Sequence, residues 1–304
     1  MPRVTIIIPV LNGIKTITRT IRSVMNQSYT DFEVLVVDNG SNDGTIELLE
    51  KLVQTEERVE VLTSPKGRSN ARNFGIAHAR GKYIKFLDAD DEISPDAILH
   101  GVKALETQPN AFAYACSTIY VDSNGQIIRS IPTSRSAITE LAGVNPFSIH
   151  SVLIRNQDLT EFDPRLEMNE DWLFWANNLL GKDIVVDSSN FDAIVHVTGH
   201  NTMRDYDLML YYMIYVRSRI KQIYNRPSLW IFKNDLRLAS DFFLLRNCYS
   251  ELSDISNIIT RGPLRPQIIM LGILLKIPLI HSWVLKKYQQ RKLNMQYIGD
   301  EDQL

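Results

Sequence analysis

The chain alternates short apolar runs with segments whose apolar residues recur every three to four positions. Val4 to Val10 (VTIIIPV) reads as a buried strand, and Ile14, Ile17, Ile21, Val24 and Met25 mark a helix behind it. Phe32 to Val37 is a second strand ending at Asp38, followed by the turn-rich Asn39-Gly40-Ser41-Asn42-Asp43-Gly44. Ile46, Leu49 and Val53 predict the next helix, Val59 to Leu62 a third strand, Arg68 to Ala79 a helix stopped by Gly81, and Tyr83 to Leu87 a fourth strand. Strands alternating with helices of this length make parallel βαβ units. Right-handed crossovers then bring Pro9 to Asn12, Asp38, Ser64 and Asp88 to one sheet edge.

The rhythm changes after a helix from about Pro95 to Leu105. Ala111 to Tyr120 and Gln126 to Ile131 are predicted strands joined by Asp122-Ser123-Asn124-Gly125, a hairpin signal. Val152 to Arg155 is a short strand, Asn169-Glu170-Asp171-Trp172 opens an apolar helix, and Asp192 to Val197 is the last strand predicted. From about Asp205 the chain reads as helix. The fold class is α/β, with a mostly parallel sheet, flanking helices and a C-terminal helical region. The expected division is 1–203 and 204–304.

Composition adds little until charge is mapped along the chain. The 304 residues are 44% hydrophobic and 22% charged with net charge −2, so nothing global points to nucleic acid. Residues 261–292, however, hold seven Lys and Arg and no Asp or Glu, leaving −9 for the rest. Cys116 and Cys248 lie in apolar surroundings and read as small buried hydrophobes rather than a disulfide. Met1-Pro2-Arg3 runs straight into the first strand without a signal peptide, and no run of about 20 apolar residues suggests a membrane span. The expected location is therefore cytoplasmic.

The candidate chemistry starts where the fourth strand ends in Asp88-Ala89-Asp90-Asp91. Carboxylates spaced D-x-D at a strand's carboxyl end can share one hard divalent cation, which in turn can hold a diphosphate. Taken alone, the same four residues also suit a plain turn that caps the following helix.

With its neighbours the pattern resembles the inverting family 2 glycosyltransferases of the GT-A fold, the non-processive kind that build bacterial surface glycans. The resemblance is carried by residues 4–12, by Ser23-Val24-Met25-Asn26-Gln27-Ser28, by residues 32–45, by Ala71-Arg72-Asn73, by the Asp88 to Asp91 run and by Glu170-Asp171-Trp172. These pieces stand in family order over roughly residues 1–203. The resemblance implies that Pro9, Leu11, Asn12 and Asp38 cradle a nucleotide base and ribose, with Asn39 as an uncharged acceptor. Asp38 also suits a turn-forming Asx residue. Arg68, Asp88 and Ala89 would join the nucleotide-sugar site. Arg72 either meets a phosphate or lies on a solvated helix face, and Asn73 has the same alternatives. Asp90 would ligate Mg²⁺ or Mn²⁺, with His200 as a second candidate ligand. Asp171 would be the general base that takes the acceptor hydroxyl's proton in a single displacement. Helix-dipole compensation is the plain alternative for Glu170 and Asp171, core packing for Trp172, and a structural histidine for His150.

The donor implied is a nucleoside-diphosphate sugar, with UDP favoured and dTDP next, and the acceptor is a glycan or lipid-linked hydroxyl. No Trp is preceded by Arg, so the Q-x-x-R-W motif of processive synthases is absent and a single transfer is expected. Asn12-Gly13-Ile14-Lys15 replaces the G-x-G-x-x-G of a dehydrogenase and the Gly-rich basic loop of a nucleotidyltransferase. A non-catalytic binding module on the same scaffold is the remaining rival. Pro266 to Leu285, apolar but broken by Lys276 and Pro278 and followed by Lys286-Lys287, suits either an anionic membrane surface on the inner face of the plasma membrane or a homo-oligomer contact.

Overall fold

A computed structural model describes residues 2–197, 206–224, 228–245 and 253–300. Contacts divide the chain into one compact unit of residues 1–138 and 145–197 and another of residues 139–144 and 198–304.

The first unit is built on strands β1 (Val4–Val10), β2 (Phe32–Asp38), β3 (Val59–Thr63), β4 (Tyr83–Phe86), β5 (Glu92–Ile93), β6 (Ala113–Cys116), β7 (Thr118–Val121), β8 (Ile127–Ile131), β9 (Val152–Arg155), β10 (Ile184–Asp187) and β11 (Ala193–His196). Helices α1 (Ile17–Met25), α2 (Thr45–Val53), α3 (Arg68–His78), α4 (Ala97–Thr107) and α6 (Glu170–Leu179) connect them, and the short α5 (Ala137–Glu140) falls where the chain passes from the first unit to the second. A seven-stranded sheet runs β10-β6-β9-β4-β1-β2-β3, and a four-stranded sheet runs β5-β11-β7-β8. β1 is parallel to β2 and β4, and β2 is parallel to β3. The register sets Val10 against Asp38 and Asp38 against Thr63, so the strand ends come level. Buried on both faces, β1 and β2 are mostly apolar, which is why they read as near-continuous apolar runs.

Several expectations need correction. The single strand expected over 111–120 is two strands in different sheets. Ser117 leaves the ladder between them: its N–H donates to the carbonyl of Asn190 and its Oγ to that of Ser188. The central sheet is mostly parallel, as expected, with β9 running antiparallel to both β4 and β6. β10 lay hidden because a half-buried edge strand of four residues carries little pattern. β5 is shorter still. Asp88 to Asp91 do not cap α4. Its N-cap is Asp96, whose carboxylate instead accepts from Ser28 Oγ at 2.5 Å.

Gly81 does not stop α3, which ends at His78 with an extended Ala79 behind it. Its role is close approach: a Cβ there would sit 2.5 Å from the Thr5 backbone nitrogen. The Gly81 N–H donates to Thr5 Oγ1, which itself donates to Glu33 Oε1 at 2.6 Å, so one buried threonine joins β1, β2 and the entry to β4. Gly75 plays the same part on α3, where a Cβ would meet Ile7 Cγ2 at 2.5 Å. That contact sets α3, and Arg72 one turn earlier, down onto β1.

The second unit holds α7 (Tyr206–Ile223), α8 (Leu229–Leu245), α9 (Ser253–Arg261), α10 (Arg265–Leu274) and α11 (Pro278–Asp300). Arg217 is buried between α7 and α8 on Asp235, at 2.7 Å, with Lys221 on the other oxygen at 2.8 Å. Trp230 closes on Gly143, whose carbonyl accepts from Asn234 Nδ2.

Because the obstruction at Gly81 is backbone, Gly81→Ala forces β1 and β4 apart. Urea unfolding should show a loss of about 1–3 kcal/mol with the slope unchanged, the cost of overpacking a filled interior. An unchanged midpoint would contradict the packing described.

Candidate active site

The carboxyl ends of β1 and β2 form the first part of the site. Asn12 takes a left-handed φ of 55°, which asparagine tolerates. Its N–H donates to Ser41 Oγ, and its Oδ1 accepts from the Asn42 N–H. Leu11 stays exposed beside it, while Pro9 is inside β1 opposite Val37. The Asp38 carboxylate accepts from the N–H groups of Gly40 and Ser41, an Asx turn that builds the loop over residues 39–44. Asn39 is 4% exposed, and its Oδ1 has no donor among the described residues. A buried acceptor left unpaired is costly, so this oxygen suits a ligand N–H.

The acid run follows β4, where the Leu87 N–H still pairs with the Ile7 carbonyl. Its carboxylates have separate tasks. Asp91 is buried, accepts the His196 N–H at 2.8 Å and ties the loop to β11. Burial, then the Asp90 and Asp88 charges, push its carboxyl well above the usual range. Asp88 turns to Arg72 at 2.7 Å. Burial alone would raise Asp88, but Arg72 and then Arg68 hold it below the ordinary carboxylate value. Asp90 is half-buried, and no described side chain donates to its carboxylate. Burial and the Asp88 charge raise it. Arg19 on α1 holds this loop through the Asp90 carbonyl at 2.6 Å, with Glu92 3.6 Å away.

Arg72 is neither on a solvated helix face nor open to a phosphate. Its side chain is 1% exposed, with one terminal nitrogen 2.7 Å from Asp88 Oδ1 and the other 2.7 Å from Glu170 Oε1. Burial works against its charge, and Asp88 and Glu170 more than restore it. Arg68, one turn earlier, keeps a side chain 44% exposed and reaches Glu170 at 3.5 Å. Asn73 spends its amide on the Phe162 backbone, donating to the carbonyl and accepting from the N–H.

Glu170 and Asp171 open α6. The helix is seated by aromatic packing: Phe174 stacks on Phe162 at 3.9 Å and meets the edge of Phe86 at 5.4 Å. Trp172 is fully buried and belongs to the core. Asp171 is half-buried. Its Oδ2 accepts from Asn145 Nδ2 and its Oδ1 from the Trp172 N–H, both at 2.8 Å. Burial first and the Glu170 charge second raise Asp171 to about 7, a value suited to a general base near neutrality.

The structure thus brings Asp88, Arg68, Arg72, Glu170 and Asp171 together through direct contacts and shared charge. Ala89 adjoins the β1 loop, 3.8 Å from where a Cβ on Gly13 would lie. His150 is buried, with Nδ1 3.6 Å from Asp91 Oδ2, and burial lowers it to about 3, so it is a neutral structural histidine. His200 lies outside the described residues. Asn145 is the residue that the motifs miss. Asn-Pro marks a turn, but nothing local says that the amide reaches 26 residues along the chain.

Among the described residues no three His, Cys, Asp or Glu side chains converge as a metal cage. The donor set still fits Mg²⁺ or Mn²⁺, which are bound through one or two carboxylates with phosphate oxygens and water completing the shell. Asp90 offers a carboxylate to which no described side chain donates, and a cation would relieve its raised pKa.

Residues 5–162 match the family described as Glycosyl transferase family 2. An uncharacterized glycosyltransferase of Haemophilus influenzae is 31% identical over 183 residues, 59% of this chain and 72% of that one. The putative teichuronic acid biosynthesis glycosyltransferase TuaG of Bacillus subtilis is 33% identical over 182 residues, with the same two shares. A chondroitin synthase of Pasteurella multocida is 29% identical over 209 residues, 66% of this chain but only 21% of that one. Among solved structures, S. aureus TarS 1-349 in complex with UDP-GlcNAc superposes with a TM-score of 0.66 at 17% identity, covering 95% of this chain and 92% of that one. The mannosyltransferase PcManGT from Pyrobaculum calidifontis in complex with GDP-Man and Mn²⁺ gives 0.57 at 17% identity, covering 100% and 88%. At these identities the structural likeness is one of fold.

Removing the guanidinium strands two carboxylates. Arg72→Met should cost about 3 kcal/mol or more in urea unfolding, because Glu170 is left buried with only the half-exposed Arg68 at 3.5 Å to answer its charge. Arg72→Lys should fall between, since one ammonium cannot serve two carboxylates on separate elements. A loss below about 1 kcal/mol for Arg72→Met would mean that the ion pair is not formed.

Proposed function

Because the chain is a family 2 glycosyltransferase of the GT-A fold, we propose that it moves one sugar from a nucleoside-diphosphate sugar to a hydroxyl of a glycan or lipid-linked acceptor, with inversion at the anomeric carbon. The observation that carries this reading is the linkage of Asp171 to the acid loop through Arg72, which joins Glu170, the neighbour of Asp171, to Asp88. The same guanidinium thereby fixes a candidate base beside the carboxylates that would meet the donor.

Asp171 accepts the proton from the acceptor hydroxyl as its oxygen attacks C1. The bond from C1 to the diphosphate oxygen breaks on the opposite face, and the nucleoside diphosphate leaves. Asn145 and the Trp172 N–H hold the two Asp171 oxygens, so the carboxylate keeps one orientation. With no second carboxylate acting as nucleophile, one displacement turns an α-linked donor into a β-linked product. Asn39 offers its unpaired Oδ1 to a ring N–H of the base, and Arg68 supplies an exposed cation beside the acid loop. A divalent ion held by Asp90, Mg²⁺ or Mn²⁺, would neutralise charge growing on the diphosphate.

UDP is the favoured nucleotide. TarS, similar in fold, is described in complex with UDP-GlcNAc, and an N–H acceptor without charge suits a uracil ring. Surface polysaccharide is the favoured product class, in keeping with the name of TuaG, of which the chain spans 72%.

Asp171→Asn preserves size but keeps only one of the two acceptor oxygens and cannot take a proton. Release of nucleoside diphosphate across a panel of nucleotide sugars with Mn²⁺ should fall about 10²-fold or more, while donor affinity persists. The product's anomeric proton should report inversion by NMR, and EDTA should stop the reaction. Near-normal turnover in Asp171→Asn, or a retained anomer, would overturn the mechanism.

A further inference from the structure

We propose that α10, α11 and the break between them form a surface that docks on an anionic lipid membrane. α10 is apolar on both sides. One side packs on α8, with Gly272 against Phe243, though no residue of α10 is fully buried. The other is open among the described residues: Ile269 is 52% and Ile273 63% exposed. The exposed apolar line continues across the break through Ile277 to Leu279 (83%) and Trp283 (63%) on α11. Val284 and Tyr288 on α11 are buried, so this helix too has an inner side and an outer one. Contiguous exposed apolar surface of this kind marks a partner.

The charge pattern identifies the partner. Residues 261–292 contain seven basic residues and no acidic ones. Arg291 and Lys292 are taken by Asp241 and Asp207. Arg265, Lys276, Lys286 and Lys287 are exposed and form no ion pair among the described residues. Apolar side chains flanked by unpaired cations complement an anionic lipid surface, where the tails receive the first and the headgroups the second. A second copy of the same face would set like charges against each other.

Docking lies along the surface rather than across the bilayer. Among the described residues no single helix is long and apolar enough to span, and α10 and α11 meet at a bend of 118°. Ten residues of α10 reach about 15 Å, half of the hydrocarbon core. In a re-entrant arrangement the break would be the deepest point, and the break carries Lys276.

Vesicle sedimentation of the full chain tests this independently of catalysis. The chain should pellet with phosphatidylglycerol-containing vesicles, remain soluble with pure phosphatidylcholine, and release as salt rises. Leu279→Ser/Trp283→Ser and Lys276→Gln/Lys286→Gln/Lys287→Gln change only exposed side chains. Each should weaken binding about tenfold or more with unfolding midpoints unchanged. Failure of the full chain to bind anionic vesicles, or equal binding by all three proteins, would overturn the proposal. So would a dimer in solution that the Leu279→Ser/Trp283→Ser variant dissolves without any vesicle binding, which would assign the face to self-association.

Discussion

A single buried guanidinium holds the candidate site together. Arg72 lies on α3, Asp88 follows β4, and Glu170 opens α6, and each carboxylate is 2.7 Å from it. A charge taken out of water is costly unless partners surround it, so these three elements keep the spacing that the ion pairs demand. The close seat of α3 on β1 at Gly75 and the stacking of Phe174 on Phe162 bring the partners within reach. Asp171 then inherits its place from Glu170 and its environment from the same burial. The Glu170 charge that Arg72 partly answers is also one of the causes raising Asp171.

The strand-end half of the site was legible in the sequence. Parallel strands that are buried on both faces are mostly apolar, admitting a polar residue inside only where it is paired, as Thr5 and Glu33 are, and otherwise where they end. Val10, Asp38 and Thr63 come level in the register, so a reading of strand ends alone collects Asn12, Asp38 and Asn39 at one edge. The Asp88 to Asp91 run was visible for the same reason. Its division of labour was not, because Asp91 is committed to the His196 N–H and Asp88 to Arg72 by residues far along the chain.

Long-range side-chain partners explain the other differences. An arginine on an amphipathic helix looks solvated until the helix that covers it is known, and Arg72 is covered by α6. Asn145 carries no signal for its contact with Asp171, since an amide donor leaves no periodicity. Ser117 hides the change of sheet between β6 and β7, because its neighbours on both sides have the same apolar, β-forming character.

The claim that Asp171 is the base depends on its raised pKa as much as on its position. The most direct test is the pH dependence of sugar transfer at saturating donor and acceptor. A base must be deprotonated to work, and burial with the Glu170 charge sets Asp171 at about 7. The rate should therefore be flat above that value and fall about tenfold per pH unit below it, with this limb missing from the residual activity of Asp171→Asn. A rate that holds level down to about pH 5, where an ordinary carboxylate begins to protonate, would contradict the assignment.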